Sequence, residues 1–222
     1  HNPSEYNGYK VYGSDGCQVT DNGAAQITEF INKRDAFEVE TRNFESCLKQ
    51  GNIEYIDDSV TDEYIKNVKS CLVNGFCDIK ICYTPLNGTG YNIVPKVLKD
   101  MGADLVFVDE QNYPDGNFHT CPYPNPEKKE ALKLGLSKAM RHECDLLLAT
   151  DPDADRVGVG VKNGNDMILL TGNETGILLT HYILSQKALK GVLPRNPLII
   201  KTIVTTKLVE KIAEDYNAEV RE

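Results

Sequence analysis

Leu146-Leu147-Leu148-Ala149-Thr150-Asp151-Pro152-Asp153-Ala154-Asp155-Arg156 is an apolar run that stops abruptly at three carboxylates spaced two apart, followed at once by a guanidinium. The run reads as a buried strand and the acidic part as the loop at its carboxyl end. In an open parallel sheet that edge is where ligands bind. Carboxylates this close repel one another and stay ionised together only around a cation. Hard oxygen donors suit Mg²⁺ or Ca²⁺. A solvated acidic turn is the plainer reading, but such turns seldom interrupt so apolar a strand and seldom carry Arg directly after the last Asp.

Outward from this stretch, strands and helices alternate. Ile53 to Ile56 reads as a short strand, and Thr61 as the cap of a helix with Ile65, Val68 and Leu72 on its apolar face. Ile79 to Tyr83 reads as a strand, followed by the turn Leu86-Asn87-Gly88-Thr89-Gly90. From Asn92 a helix carries Val94, Val97, Leu98 and Met101 on one side, and Leu105 to Val108 is the next strand. Asn125-Pro126-Glu127 marks a helix start. That helix is expected to bury Leu132, Leu136, Ala139 and Met140. Strand–helix alternation of this kind gives a parallel sheet flanked by helices.

Beyond Arg156, Val157 to Val161 and Met167 to Leu170 flank a turn at residues 162–166 and form a hairpin signal. Thr171-Gly172-Asn173-Glu174 then opens a helix to about Leu189. A strand at Leu198 to Thr202 and a helix over 207–216, with Leu208, Ile212 and Tyr216 inward, restart the α/β pattern. Near the amino end, Tyr9 to Tyr12 and Cys17 to Val19 flank the hairpin turn Gly13-Ser14-Asp15-Gly16. Residues 21–34 show helical spacing behind Thr20 or Asp21, and residues 35–52 read as a linker.

Composition bounds the partners. The 222 residues include 33 acidic and 24 basic side chains, a net charge of −9. That argues against nucleic acid or an anionic membrane as partner, though not against an anionic small substrate met by a metal and a few basic groups. No apolar run approaches the roughly 18 residues of a membrane span. The seven cysteines form no CxxC pair and no zinc-ligand spacing, so free thiols in a reducing cytoplasm are expected. The chain opens at His1 in a loop and closes on Ala218 to Glu222 as a strand begins, so the expectation is a fragment of a longer protein.

Three motif families compete for the acidic loop. An EF-hand needs Gly where Arg156 stands and Glu where Lys162 stands, and fails twice. A haloacid-dehalogenase type of phosphatase would use Asp151 as nucleophile and Asp153 as acid, but prefers Thr at the position of Asp155 and leaves Arg156 unexplained. Asp151-Pro152-Asp153-Ala154-Asp155-Arg156 resembles the magnesium loop of the α-D-phosphohexomutases, the phosphoglucomutase and phosphomannomutase family. His1-Asn2-Pro3 with Asn7-Gly8-Tyr9-Lys10 resembles the tail of that family's active-serine loop. Pro122-Tyr123-Pro124-Asn125-Pro126-Glu127 and Thr171-Gly172-Asn173-Glu174 resemble two further stretches in matching order.

The resemblance implies an α/β fold: a three-layer α/β/α domain with a mixed, mainly parallel sheet, plus partial flanking α/β domains. It divides the chain into the end of a first domain (1–43), a second domain (44–166) closing on the metal loop, and the start of a third (167–222). It implies a mutase that moves a phosphoryl group between C1 and C6 of a hexose phosphate through a phosphoserine and a hexose bisphosphate. Asp151, Asp153 and Asp155 would hold Mg²⁺, Arg156 would grip phosphate, Lys10 would be the general acid/base, and His1 would support the serine loop. The family's phosphorylated serine would stand just before His1, and Ser4 does not take its place, so this chain alone is expected to be inactive. Glucose, mannose, glucosamine and pentose phosphates all remain open as substrates. The alternative is a magnesium-binding α/β module with a non-catalytic or phosphatase-like role.

Overall fold

The structure, a computed structural model, describes residues 3–6, 8–75 and 78–222. It forms two compact units, Glu5–Val60 and one built on Thr61–Glu222.

In the smaller unit the expected hairpin is present but short. Gly13 donates its N–H to the Cys17 carbonyl at 2.8 Å and Val19 to the Val11 carbonyl at 2.9 Å. Among the described residues a single bridge, Tyr12 to Gln18, joins the two sides, as expected of two lone strands with no sheet to propagate into. Helix α1 spans Asp21–Asn32. The stretch read as a linker holds a 3₁₀ turn, Ala36–Glu38, and a short helix α2, Phe44–Lys49. Each follows a side-chain cap: Asp35 accepts the Phe37 N–H at 2.8 Å and Asn43 the Ser46 N–H at 3.0 Å. Elements this short carry no period to detect. Ile53 to Ile56 is not a strand in the structure; the apolar Tyr55 and Ile56 are exposed and pair with no neighbouring strand.

The larger unit is organised on a five-stranded sheet. Its elements are α3 (Asp58–Ser70, whose first residues belong to the smaller unit), β1 (Lys80–Thr84), α4 (Gly90–Asp100), β2 (Asp104–Phe107), α5 (Lys129–Arg141), β3 (Leu146–Thr150), β4 (Val157–Asn163) and β5 (Asp166–Leu170). The strand order is β2-β1-β3-β4-β5. β1 is parallel to β2 and β3, β4 is antiparallel to β3, and β5 returns against β4. Four of the five strands therefore point one way, a mixed and mainly parallel sheet. The hairpin turns on Gly164, at φ +61°, and carries the sheet to Leu170.

Alternation along β1 assigns the two faces. Cys82 faces α5, its thiol reaching the Gly135 carbonyl at 3.7 Å, while Tyr83 faces the start of α4, where a Cβ on Gly90 would lie 2.5 Å from its hydroxyl. The outcome is three layers, α4 over the sheet over α5. The core joins Cys82, Leu86, Val108, Leu132, Ala139, Leu147 and Ala149, among others. Gly135 lets α5 approach the sheet, since a Cβ there would sit 2.8 Å from Leu147 Cδ1.

Several boundaries differ from the sequence reading. α3 starts before Thr61, behind Asp57, whose carboxylate accepts the Ser59 N–H at 2.7 Å. α4 starts at Gly90 rather than Asn92. Asn125 caps a turn, accepting the Glu127 N–H on its side chain and the Lys128 N–H on its carbonyl, and α5 begins only at Lys129. Its buried stripe is Ala131, Leu132, Gly135 and Ala139; Met140, one residue round the helix, is 48% exposed.

Helix α6 (Gly172–Leu189) opens with the expected signature as a full capping box: Glu174 N–H reaches Thr171 Oγ1 at 3.2 Å, and Thr171 N–H returns to the Glu174 carboxylate at 2.7 Å. Thr171→Ala is expected to lower stability by about 1 kcal/mol, read as a shift in the urea midpoint without a change in slope. β6 (Leu198–Ile200) and β7 (Glu219–Arg221) form a separate parallel pair around α7 (Leu208–Asp215). α7 buries Val209 and Ala213, not Leu208, which is 49% exposed. The stripe sits one residue on because α7 also packs against α6.

Candidate metal and phosphate site

β1 and β3 are the point at which the sheet reverses its order: the chain leaves β1 for β2 on one side, and β3 returns on the other. Loops at such a switch point diverge and leave a crevice outside the strand ends. Residues 85–90 follow β1 there, and residues 151–156 follow β3.

The acidic loop is folded around its first member. Asp151 is fully buried. Its Oδ1 accepts the Arg156 N–H at 2.9 Å, and its carbonyl accepts the Ala154 N–H at 3.0 Å. Ala154 takes a left-handed φ of +59° to close the turn. Asp151 Oδ2 is buried and has no hydrogen-bond partner; Arg156 Nε stands 4.0 Å from it. Asp153 and Asp155 are exposed, and one carboxylate oxygen from each of the three lies within 4.8 Å of the others. Burial pushes the Asp151 carboxyl above its usual range, and the Asp153 and Asp155 charges push the same way, while the Arg156 N–H opposes them. Without a metal, the loop holds a buried acceptor that lacks a hydrogen bond and two like charges that disfavour its ionisation. A hard cation relieves both, so the donor set fits Mg²⁺ or a similar ion.

The strands beneath are tied together. Tyr83 and Thr150 share a buried hydroxyl–hydroxyl hydrogen bond of 2.9 Å, and burial raises the Tyr83 phenol to about 12. Alongside, Thr89 presents both its N–H (2.8 Å) and its hydroxyl (3.0 Å) to the Pro152 carbonyl. The Gly88-Thr89-Gly90 turn directs two of its amides into the fold: Gly88 N–H goes to the Pro85 carbonyl at 2.9 Å and Thr89 N–H to the Pro152 carbonyl at 2.8 Å. The glycines were visible in the sequence, but their partner, Pro152, was not.

The structure thus brings Asp151, Asp153, Asp155 and Arg156 together at one strand end. Lys10 belongs to the smaller unit, exposed just ahead of the Tyr12–Gln18 bridge. His1 lies outside the described residues. Among the described residues no helix is long and apolar enough to cross a membrane.

Residues 58–164 match the family profile of the phosphoglucomutase/phosphomannomutase α/β/α domain II, and residues 1–38 match that of domain I. Over the whole chain it is 37% identical to a phosphoglucomutase of Staphylococcus saprophyticus, of which it covers 40%. Over 99% of the chain it is 31% identical to a phosphomannomutase of Mycoplasmoides pirum, again covering 40% of that protein. The chain thus spans about 40% of the length of these curated relatives. The fold resembles the crystal structure of a putative phosphomannomutase from Thermus thermophilus, with a TM-score of 0.63 at 20% identity over 92% of this chain and 42% of that one. Two domain profiles in sequence, and a relative aligned over the whole of this chain, agree with the sheet and its loop: the chain belongs to the phosphoglucomutase/phosphomannomutase family of phosphohexomutases.

Proposed function

We propose that the chain carries the cation-binding part of the active site of a phosphosugar mutase. The reaction is an intramolecular phosphoryl transfer between C1 and C6 of a hexose phosphate, by way of a phosphoserine and a hexose bisphosphate. The observation that supports it best is the buried, unpartnered Oδ2 of Asp151 facing two further carboxylates in a chain of this family.

Asp151, Asp153 and Asp155 would hold Mg²⁺, which when bound supplies Lewis-acid neutralisation of phosphoryl oxygens. Phosphoryl transfer asks mostly for positioning and charge neutralisation. Arg156 is suited to the second, with its backbone tied to Asp151 and its guanidinium partly exposed for bidentate contact with phosphate. Lys10 is proposed as the residue that moves a proton at the reacting hydroxyl, and His1 as a support of the serine loop, both on their motif. The proposed division is 1–43, 44–166 and 167–222, as first, second and third mutase regions. The proposed compartment is the cytoplasm, in keeping with six unpaired cysteines among the described residues.

A coupled assay for conversion of glucose 1-phosphate to glucose 6-phosphate by the intact protein tests the reading. Turnover is expected to vanish with EDTA and return with Mg²⁺. Arg156→Gln is expected to lower kcat/KM by about 100-fold, as the loss of a charge-assisted bidentate contact. Turnover indifferent to chelation and to Arg156→Gln would remove this loop from the chemistry. Residues 1–222 alone are expected to bind the cation weakly and to turn over nothing, since no serine within them takes the place of the phosphorylated residue.

A further inference from the structure

We propose that the turn after β1 is a latch that holds the carboxylate loop in shape for its cation, with Thr89 as the positioning residue. This rests on the cation reading of the loop and adds to it the element that sets the loop's geometry.

Two of the three carboxylates are exposed, so the path of the backbone between them bears directly on where they can sit. One anchor is Asp151, buried and tied to the Arg156 N–H. The other is the Pro152 carbonyl, which takes both the N–H and the hydroxyl of Thr89, at 2.8 and 3.0 Å. That carbonyl belongs to the planar peptide joining Pro152 to Asp153. Pinning its oxygen fixes the peptide plane from which Asp153 departs. Proline's own φ is fixed by its ring, so the two anchors leave little freedom between Asp151 and Asp153.

The approach is as close as backbones allow. A Cβ on Gly88 would lie 2.3 Å from Pro152 Cα and 2.6 Å from its carbonyl oxygen. The latch is itself held in an uncommon shape. Leu86 and Asn87 are consecutive non-glycine residues at left-handed φ, +47° and +59°. They are kept there by Leu86 N–H to Thr84 Oγ1 (3.1 Å), Asn87 N–H to the Gln111 carbonyl (2.9 Å) and Asn87 Nδ2 to the Tyr113 carbonyl (2.8 Å). Backbone strain held by surrounding structure is a mark of functional loops. Here the strained turn ends on the residue that touches the carboxylate loop, at the sheet's switch point.

The test uses this chain with Mn²⁺ alone as probe, read by calorimetry, together with hydrogen exchange of the Ala154 and Arg156 amides in the metal-free protein. Thr89→Val keeps shape and removes the hydroxyl; it is expected to weaken Mn²⁺ binding by about 3- to 10-fold and to speed exchange at both amides, with the melting temperature unchanged. Thr89→Ser, which restores the hydroxyl, is expected to return both to wild-type values. Gly88→Ala is expected to weaken binding further, whereas Gly176→Ala, whose Cβ would meet nothing within 4 Å, is expected to change neither. Unchanged exchange in Thr89→Val, or a loss that Thr89→Ser does not rescue, overturns the latch. Absence of Mn²⁺ binding in the wild-type chain would instead overturn the cation reading; exchange would then still decide whether Thr89 holds the loop.

Discussion

Asp153→Asn is expected to abolish cation binding at the carboxylate loop, and mutase turnover with it. Changes one shell away from a metal commonly cost about 10–100-fold in affinity, and removal of a ligand charge should exceed that. Asp153 is exposed, so in the metal-free protein the main effect of losing its charge is to relieve its repulsion of Asp151. Asp151→Asn separates the same two effects more sharply. Its Oδ1 would keep the Arg156 N–H, while the buried Oδ2, unpartnered without metal, would lose its charge. In EDTA this variant is expected to be more stable than wild type by about 1 kcal/mol, since it removes a buried charge and its repulsion from Asp153 and Asp155, and the Nδ2 that replaces Oδ2 can donate to those carboxylates. The corresponding rise in melting temperature is about 2–4 °C for a chain of this size. In Mg²⁺ the order should reverse, because only the wild type gains from binding. Full activity of Asp153→Asn would sink the metal-loop assignment, and an Asp151→Asn chain less stable than wild type in EDTA would show that the buried oxygen is already compensated.

The largest effect on folding is expected at Leu147. It is fully buried in the strand that carries the site, packed against Gly135 of α5 and Gly160 of β4. Leu147→Ala should cost about 2–5 kcal/mol, the cost lowered to the extent that Met167 and Leu169, which lie beside Gly160, can move into the space. Met140→Ala, on the same helix–sheet unit but half exposed, should stay within about 0.5 kcal/mol. Urea unfolding of the two variants checks the contrast. Similar midpoints would mean that the α5 interface is packed differently.

The difference between these two residues shows where sequence reading stopped. Leu132, Ala139 and Met140 all fit a helical stripe, and the periodicity could not say that the centre of contact runs through Gly135. A glycine contributes nothing to an apolar pattern, yet it is what lets the helix approach Leu147. The same holds for α7, where the apolar Leu208 and Ile212 suggested one face and the packing chose Val209 and Ala213. Caps behaved differently. Thr171 and Glu174 announced the α6 capping box because both partners lie within four residues, whereas Asn125 carried the same kind of signal and closed only a turn.

By itself the sequence determined the strand that leads into Asp151, the clustering of three carboxylates with Arg156, the alternation that makes an α/β sheet, and the hairpin that widens it. Each depends on residues near one another along the chain, where spacing translates directly into geometry. Only the tertiary structure decided that Asp151 is wholly buried with one oxygen unmatched, and that Gly88 and Thr89 meet Pro152. That contact joins residues 63 positions apart. It exists because β1 and β3 lie side by side at the point where the sheet reverses its order, which no local pattern of residues records.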